Sequence, residues 1–268
     1  MDVGKRVRLN RIFSHPSGRL AAVAVDHFIN YSSGAVPLGL RHIRRTLAQV
    51  AEGRPDSITL HRGVAAHAFH EYAGRIPFIL QSSLCRPDDA GAEQIATPED
   101  AVRLGADGFA VAGFVRGATE IKHLKRIADC VKAAVPFAMP VFVHIYPREF
   151  GDHGVSISFK PEDIAWATRC AYECGVDVVK VPYCGEVSAY AQIVRECPVP
   201  VVAAGGPQTK DFAEALEMLA GVVKSGAAGA VVGRNVWGMR RVAQAVRAMK
   251  AVIHDGRSVR EALRAAGL

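Results

Sequence analysis

The chain has 268 residues, half of them apolar and 22% charged, and its 33 lysines and arginines exceed its 26 aspartates and glutamates by 33 − 26 = 7. That length is long for two ordinary domains and matches the roughly 250 residues of one (β/α)8 barrel, and the apolar share excludes a disordered chain. The excess positive charge is scattered along helical stretches such as 41–45 and 240–247, without a polybasic tail, zinc finger or RNA-recognition signature. This excludes nucleic acid and membrane surface as partners and leaves a solvated basic surface.

The opening stretch, MDVGKRVRLNRIF, has no apolar run that resembles a secretory signal, and no segment approaches the length of a membrane span. The six cysteines form no CxxC pair. A chain this large needs no disulfide frame, so a reducing cytoplasm is expected.

In chain order, short β-rich apolar runs stand at 21–25, 57–60, 78–81, 108–112, 141–145, 176–181, 199–203 and 229–232, with helical patterns between them. Such alternation predicts an α/β fold with a parallel sheet wrapped by helices. Thr97-Pro98-Glu99-Asp100 predicts an N-capped helix that stops at Gly105, and Lys160-Pro161-Glu162-Asp163 predicts one that runs through Tyr172 and stops at Gly175. The triplets Gly105-Ala106-Asp107, Gly175-Val176-Asp177 and Gly226-Ala227-Ala228 each precede a strand. Those repeated junctions favour a closed, single-domain (β/α)8 barrel over residues 1–268, with a doubly wound open sheet as the alternative.

A barrel builds its site at the C-terminal strand ends, so polar residues that close apolar strands are the candidates. Lys180 lies within Val178-Val179-Lys180-Val181-Pro182. An apolar setting lowers a lysine pKa and frees the amine that attacks a ketone to form an iminium. The alternative is a structural lysine paired with a carboxylate such as Asp26. Asp26 and His27 close the first strand, where Asp26 offers proton relay or a counter-charge. Tyr146 closes the fifth, as an acid/base phenol or as a packing residue. Gly205 and Gly206, then Gly233 and Arg234, follow the seventh and eighth strands, where barrels bind phosphate. His61, His67 and His70 form no recognised ligand pattern; surface histidines are expected, and no metal is assigned.

The runs VVKVPY, CPVPVVAAGGP and GAAG through VGRNVW resemble the archaeal-type class I fructose-bisphosphate aldolase family. Leu9-Asn10-Arg11, Asp26-His27 and Tyr146-Pro147-Arg148 extend the likeness over residues 5–245. The resemblance implies a Schiff-base lysine at Lys180, proton handling by Asp26, acid/base action by Tyr146 and phosphate binding by Gly205, Gly206, Gly233 and Arg234. It places His27 and His144 in the substrate pocket. It further implies catalysis without metal or cofactor, a phosphorylated small-molecule substrate, and homo-oligomers that are often decameric rings. The family also holds a transaldolase-like amino-dideoxy-heptulosonate synthase and a thiolase acting on phosphorylated autoinducer-2.

Two departures bear on substrate. Phe28 follows Asp26-His27 where family members commonly carry glycine, which implies a reshaped loop through Ser32-Ser33-Gly34. His144 stands where the sugar aldolases often carry tryptophan. The expected activity is therefore a Schiff-base aldolase on a phosphorylated ketose, with a transferase as the alternative and a non-catalytic phosphosugar-binding protein as a third option.

Overall fold

A computed structural model describes residues 2–30 and 37–268. The loop through Ser32-Ser33-Gly34 lies outside the described residues. All eight expected runs are strands: β1 (Leu20–Ala24), β2 (Ile58–His61), β3 (Phe78–Gln81), β4 (Gly108–Val115), β5 (Val141–Gly151), β6 (Val178–Val181), β7 (Val201–Ala204) and β8 (Gly229–Val232). Their order around the sheet is β4-β3-β2-β1-β8-β7-β6-β5, all parallel, and β4 pairs with β5 to close the ring. The protein is a single-domain (β/α)8 barrel, and the open-sheet alternative is set aside by that closing pair.

Strand parity divides the core into two layers. Successive side chains alternate across a strand, so Leu20, Ala22 and Ala24, Ile79, Ala110, Phe142, Val178, Val202 and Val231 fill the interior of the barrel. Their neighbours, among them Ala21, Val23, Val111, Val143, Val179 and Ala203, face outward onto the surrounding helices. This two-sided burial explains why the strands read as continuous apolar runs.

The predicted helix signals hold. Thr97 and Asp100 form a reciprocal capping box on helix Pro98–Leu104, which ends at Gly105 with φ 76°. Helix Pro161–Glu173 ends just before Gly175, whose φ is 89°. The aspartates of those junctions have a further use. Asp177 accepts the Val141 N–H and pairs with Lys5 at 3.0 Å, while Asp107 pairs with Arg11 at 3.2 Å. Both hold the helix Val3–Ile12 across the bottom of the barrel. Ile12 of that helix is buried with the interior cluster and plugs the floor.

Candidate active site

Lys180 follows Val178 by two residues, so parity turns it into the barrel interior, one layer above the apolar floor. It stands level with His144 on β5 and Val202 on β7. Only 4% of it is exposed. Burial lowers its amine from the ordinary 10.5 to about 8; the Asp26 charge opposes that fall and Arg234 reinforces it. Among the described residues the ion pairs of Asp26 are to His27 and His144 and none includes Lys180, so the expected alternative of a Lys180–Asp26 pair is not what the fold builds.

Asp26 is buried under the barrel mouth instead of opening into it. Its Oδ1 lies 3.3 Å from His27 Nδ1, and its Oδ2 accepts a 3.0 Å hydrogen bond from Gln81 Nε2. Burial by itself would raise this carboxyl, but the His27 contact and the charges of His27 and Lys180 outweigh it and hold the group ionised below the usual carboxylate range.

Gln81 fixes the state of His144. The Ser83 N–H donates to Gln81 Oε1 at 3.0 Å, which sets the amide so that Nε2 is the donor end. Nε2 then reaches His144 Nδ1 at 3.1 Å as well as Asp26. A ring nitrogen that accepts carries no proton, so His144 holds its proton on Nε2. Burial and the Lys180 charge push this imidazole well below its ordinary value, which keeps it neutral.

His61 corrects the expectation of surface histidines. It is buried at the end of β2, with Nδ1 3.2 Å from the Gln81 carbonyl and Nε2 3.1 Å from the Asp26 carbonyl, and with Asn30 Nδ2 3.3 Å away. His67 and His70 are exposed. Gln81 and His61 are thus site residues that the sequence reading missed, although each is the polar last residue of an apolar strand.

Tyr146 does not close the fifth strand. β5 continues to Gly151 and pairs antiparallel with Gly154–Ile157, forming a hairpin above the barrel. Inward parity carries from Phe142 through His144 to Tyr146, whose ring lies 6.1 Å from that of Phe114. Arg148, buried farther along the hairpin, donates to Asp89 and to the Arg116 carbonyl and so ties three strand-end loops together.

Opposite the hairpin stand the two glycine loops. A Cβ on Gly205 would lie 2.9 Å from the Val232 Cα, and one on Gly233 would stand against the His27 ring, so both positions require glycine. Asn235 joins the loops, donating from Nδ2 to the Gly205 and Pro207 carbonyls at 2.9 Å each. Gly233 caps a short helix that begins at Arg234. The Arg234 Nε is buried without a hydrogen-bond partner among the described residues, which is costly unless an anion arrives to take it. A cavity of about 320 Å³ brings these parts together, lined by His27, Tyr146, Lys180, Gly205, Gly206, Gly233 and Arg234 among others. Asp26 and His144 stand beneath that lining, not in it.

Together these features define a barrel with one buried lysine under an anion-ready mouth, a class of site suited to carbonyl chemistry. Residues 20–239 match the DeoC/LacD family aldolase profile, and the chain belongs to that family. It is 32% identical to 2-amino-3,7-dideoxy-D-threo-hept-6-ulosonate synthase of Halobacterium salinarum, over 100% of this chain and 98% of the relative. It is also 32% identical to the class 1 fructose-bisphosphate aldolase of Thermoproteus tenax, over 78% of each. The structure of an archaeal fructose-1,6-bisphosphate aldolase, with its catalytic lysine bound to the carbinolamine intermediate, superposes with a TM-score of 0.80. That pair is 28% identical and covers 93% of this chain and 99% of the other.

Proposed function

We propose that the protein is a Schiff-base aldolase that makes or breaks a carbon–carbon bond in a phosphorylated ketose through an iminium on Lys180. The observation that carries this reading is the Lys180 amine, buried in the lining of the cavity and in no ion pair among the described residues, with burial as the main cause of its lowered pKa. In the cleavage direction the amine adds to the substrate carbonyl to give a carbinolamine. Asp26 assists the proton transfers that expel water and leave the iminium. Tyr146 takes the proton of the substrate hydroxyl, the carbon–carbon bond breaks, and its electron pair moves to the iminium nitrogen to give an enamine. The aldehyde fragment departs. Protonation of the enamine carbon and hydrolysis return the amine and release the ketone.

Gly205, Gly206, Gly233 and Arg234 hold the phosphate, and His27 and His144 shape the pocket. The chemistry needs no metal or cofactor. In the same proposal the protein acts in the cytoplasm as a homo-oligomer, a decameric ring by family precedent, for which exposed Val3, Ile121, Val135 and Trp166 offer apolar surface. Among the described residues no helix is long and apolar enough to cross a membrane.

A second reading keeps Lys180 but passes the fragment to an acceptor other than water, and the full-length match to the halobacterial synthase favours it. Product analysis separates the two. Full-rate aldehyde release from a phosphorylated ketose without added acceptor supports the lyase; release that requires an acceptor supports the transferase. Loss of turnover with retained phosphosugar binding in Lys180→Met excludes the non-catalytic option.

A further inference from the structure

Lys180 and His144 are register partners on the neighbouring strands β6 and β5. Val178 and Phe142, two residues below them, are also partners, and both fill the barrel interior. Alternation therefore turns Lys180 and His144 inward side by side. Gln81, which holds His144 Nδ1 at 3.1 Å, hangs from β3, and β3 and β6 lie on opposite sides of β5. A ring whose Nδ1 edge faces β3 turns its Cδ2–Nε2 edge toward β6. Nε2 carries the ring's proton, and the described residues give it no hydrogen-bond partner. After burial, the charge of Lys180 is the largest influence that keeps the ring neutral, as two close neighbours require.

Attack by the Lys180 amine turns a substrate carbonyl oxygen into an alkoxide at the deepest point of the cavity. A buried oxyanion is costly unless a donor meets it. Asp26 is no donor, because it is ionised and held by His27 and Gln81. Arg234 stands beyond β8, two strands from β6, and His27 stands between Asp26 and Gly233. Tyr146 lies one inward step above His144 and serves the substrate hydroxyl in the proposed cleavage. The N–H at the level of the amine is that of His144.

We infer that His144 is a catalytic electrophile, whose Nε2–H donates a hydrogen bond to the carbonyl oxygen that Lys180 attacks. The nitrogen lone pair forms the N–C bond, the carbonyl π pair moves onto oxygen, and Nε2–H holds that oxygen. The extra proton on nitrogen then passes to the oxygen to give the neutral carbinolamine. His144 keeps its own proton throughout; an imidazole held neutral polarises a carbonyl in this way. Gln81 is its positioning residue, because the amide on Nδ1 fixes both the tautomer and the ring. The inference deepens the aldolase proposal and rests on it for the attack by Lys180.

Rapid-quench borohydride trapping with dihydroxyacetone phosphate measures how fast the Lys180 adduct forms. His144→Phe keeps a flat ring without the N–H and is expected to slow adduct formation about 100-fold. His144→Gln, whose amide offers a donor near the same point, should recover about tenfold of that loss. Calorimetric titration in the Lys180→Met background should show dihydroxyacetone phosphate binding unchanged by His144→Phe. Should His144→Phe fail to fold, His144→Asn takes its place, since it can keep the Gln81 contact but has no donor at the Nε2 position, and the same slowing is expected. A wild-type rate in the variant without the donor overturns the inference. So does equal slowing in His144→Gln, or a loss of binding that matches the loss of rate, either of which makes the role of His144 structural. Absence of any adduct in the wild-type protein is a separate result, which removes the Schiff base itself.

Discussion

Replacing Lys180 with methionine should abolish turnover and stabilise the fold. Burial lowers the amine from 10.5 to about 8, a difference worth about 3 kcal/mol between its charged and neutral forms. Below about pH 8 the lysine is protonated in both folded and unfolded chains, so the native state bears the full cost of a buried ammonium. Between about 8 and 10.5 the folded protein releases the proton while the unfolded chain retains it, and wild-type stability rises with pH. Methionine is apolar, similar in length and suited to the space above Val178. Lys180→Met is therefore expected to gain up to about 3 kcal/mol at pH 7, with the advantage shrinking toward pH 10. Denaturant unfolding of both proteins at pH 7 and pH 10 measures this. A variant that is less stable at pH 7, or an advantage that does not change with pH, would refute the claim that burial, with no compensating ion pair among the described residues, lowers the Lys180 amine. The same free amine makes wild-type kcat/KM rise with pH through about 8.

Three further outcomes follow from the geometry. Tyr146→Phe should still form the Lys180 adduct but lose about 100-fold to 10,000-fold in bond cleavage, seen as trapped intermediate without aldehyde release. Gln81→Leu removes the donor that serves both Asp26 and His144 and strands the Ser83 N–H. It should destabilise the protein by about 1–3 kcal/mol and release His144 from its Nε2–H tautomer, which nitrogen NMR of the ring reports directly. Gly233→Ala should drive the His27 ring from its place and raise KM for phosphorylated substrates by about tenfold or more while the barrel still folds; an unchanged KM would remove the Gly233 loop from the phosphate site.

The barrel was legible because its signals are local. Apolar runs, the Thr97 capping box and the stops at Gly105 and Gly175 each sit within a few residues, and Lys180 stood out as a charge in an apolar strand. Strand parity, applied from Val178 or Phe142, also gives the inward side of Lys180, His144 and Tyr146. What escaped was non-local. The Gln81 contact to Asp26 spans 55 residues and that to His144 spans 63, and no sequence pattern announces that one amide will orient two site residues. His61, His67 and His70 form no ligand pattern that sets one apart from the others, yet His61 ends a buried strand. The apolar run 141–145 puts Tyr146 at a strand end, whereas the strand runs on to Gly151. Proline is tolerated here because the strand turns into a hairpin, and the Phe114–Tyr146 and Val115–Pro147 pairs continue the ladder with β4. Asn235 stands in the run VGRNVW, but its work of joining the two glycine loops depends on a partner 30 residues away.

The central claim is that Lys180 bonds covalently to the substrate carbonyl. Incubation of the wild-type protein with dihydroxyacetone phosphate and borohydride, followed by peptide mass spectrometry, tests it most directly. The account predicts one reduced adduct per chain, on the peptide that carries Lys180, and none in Lys180→Met. An unmodified Lys180 under conditions of active turnover, or an adduct on another lysine, would contradict it.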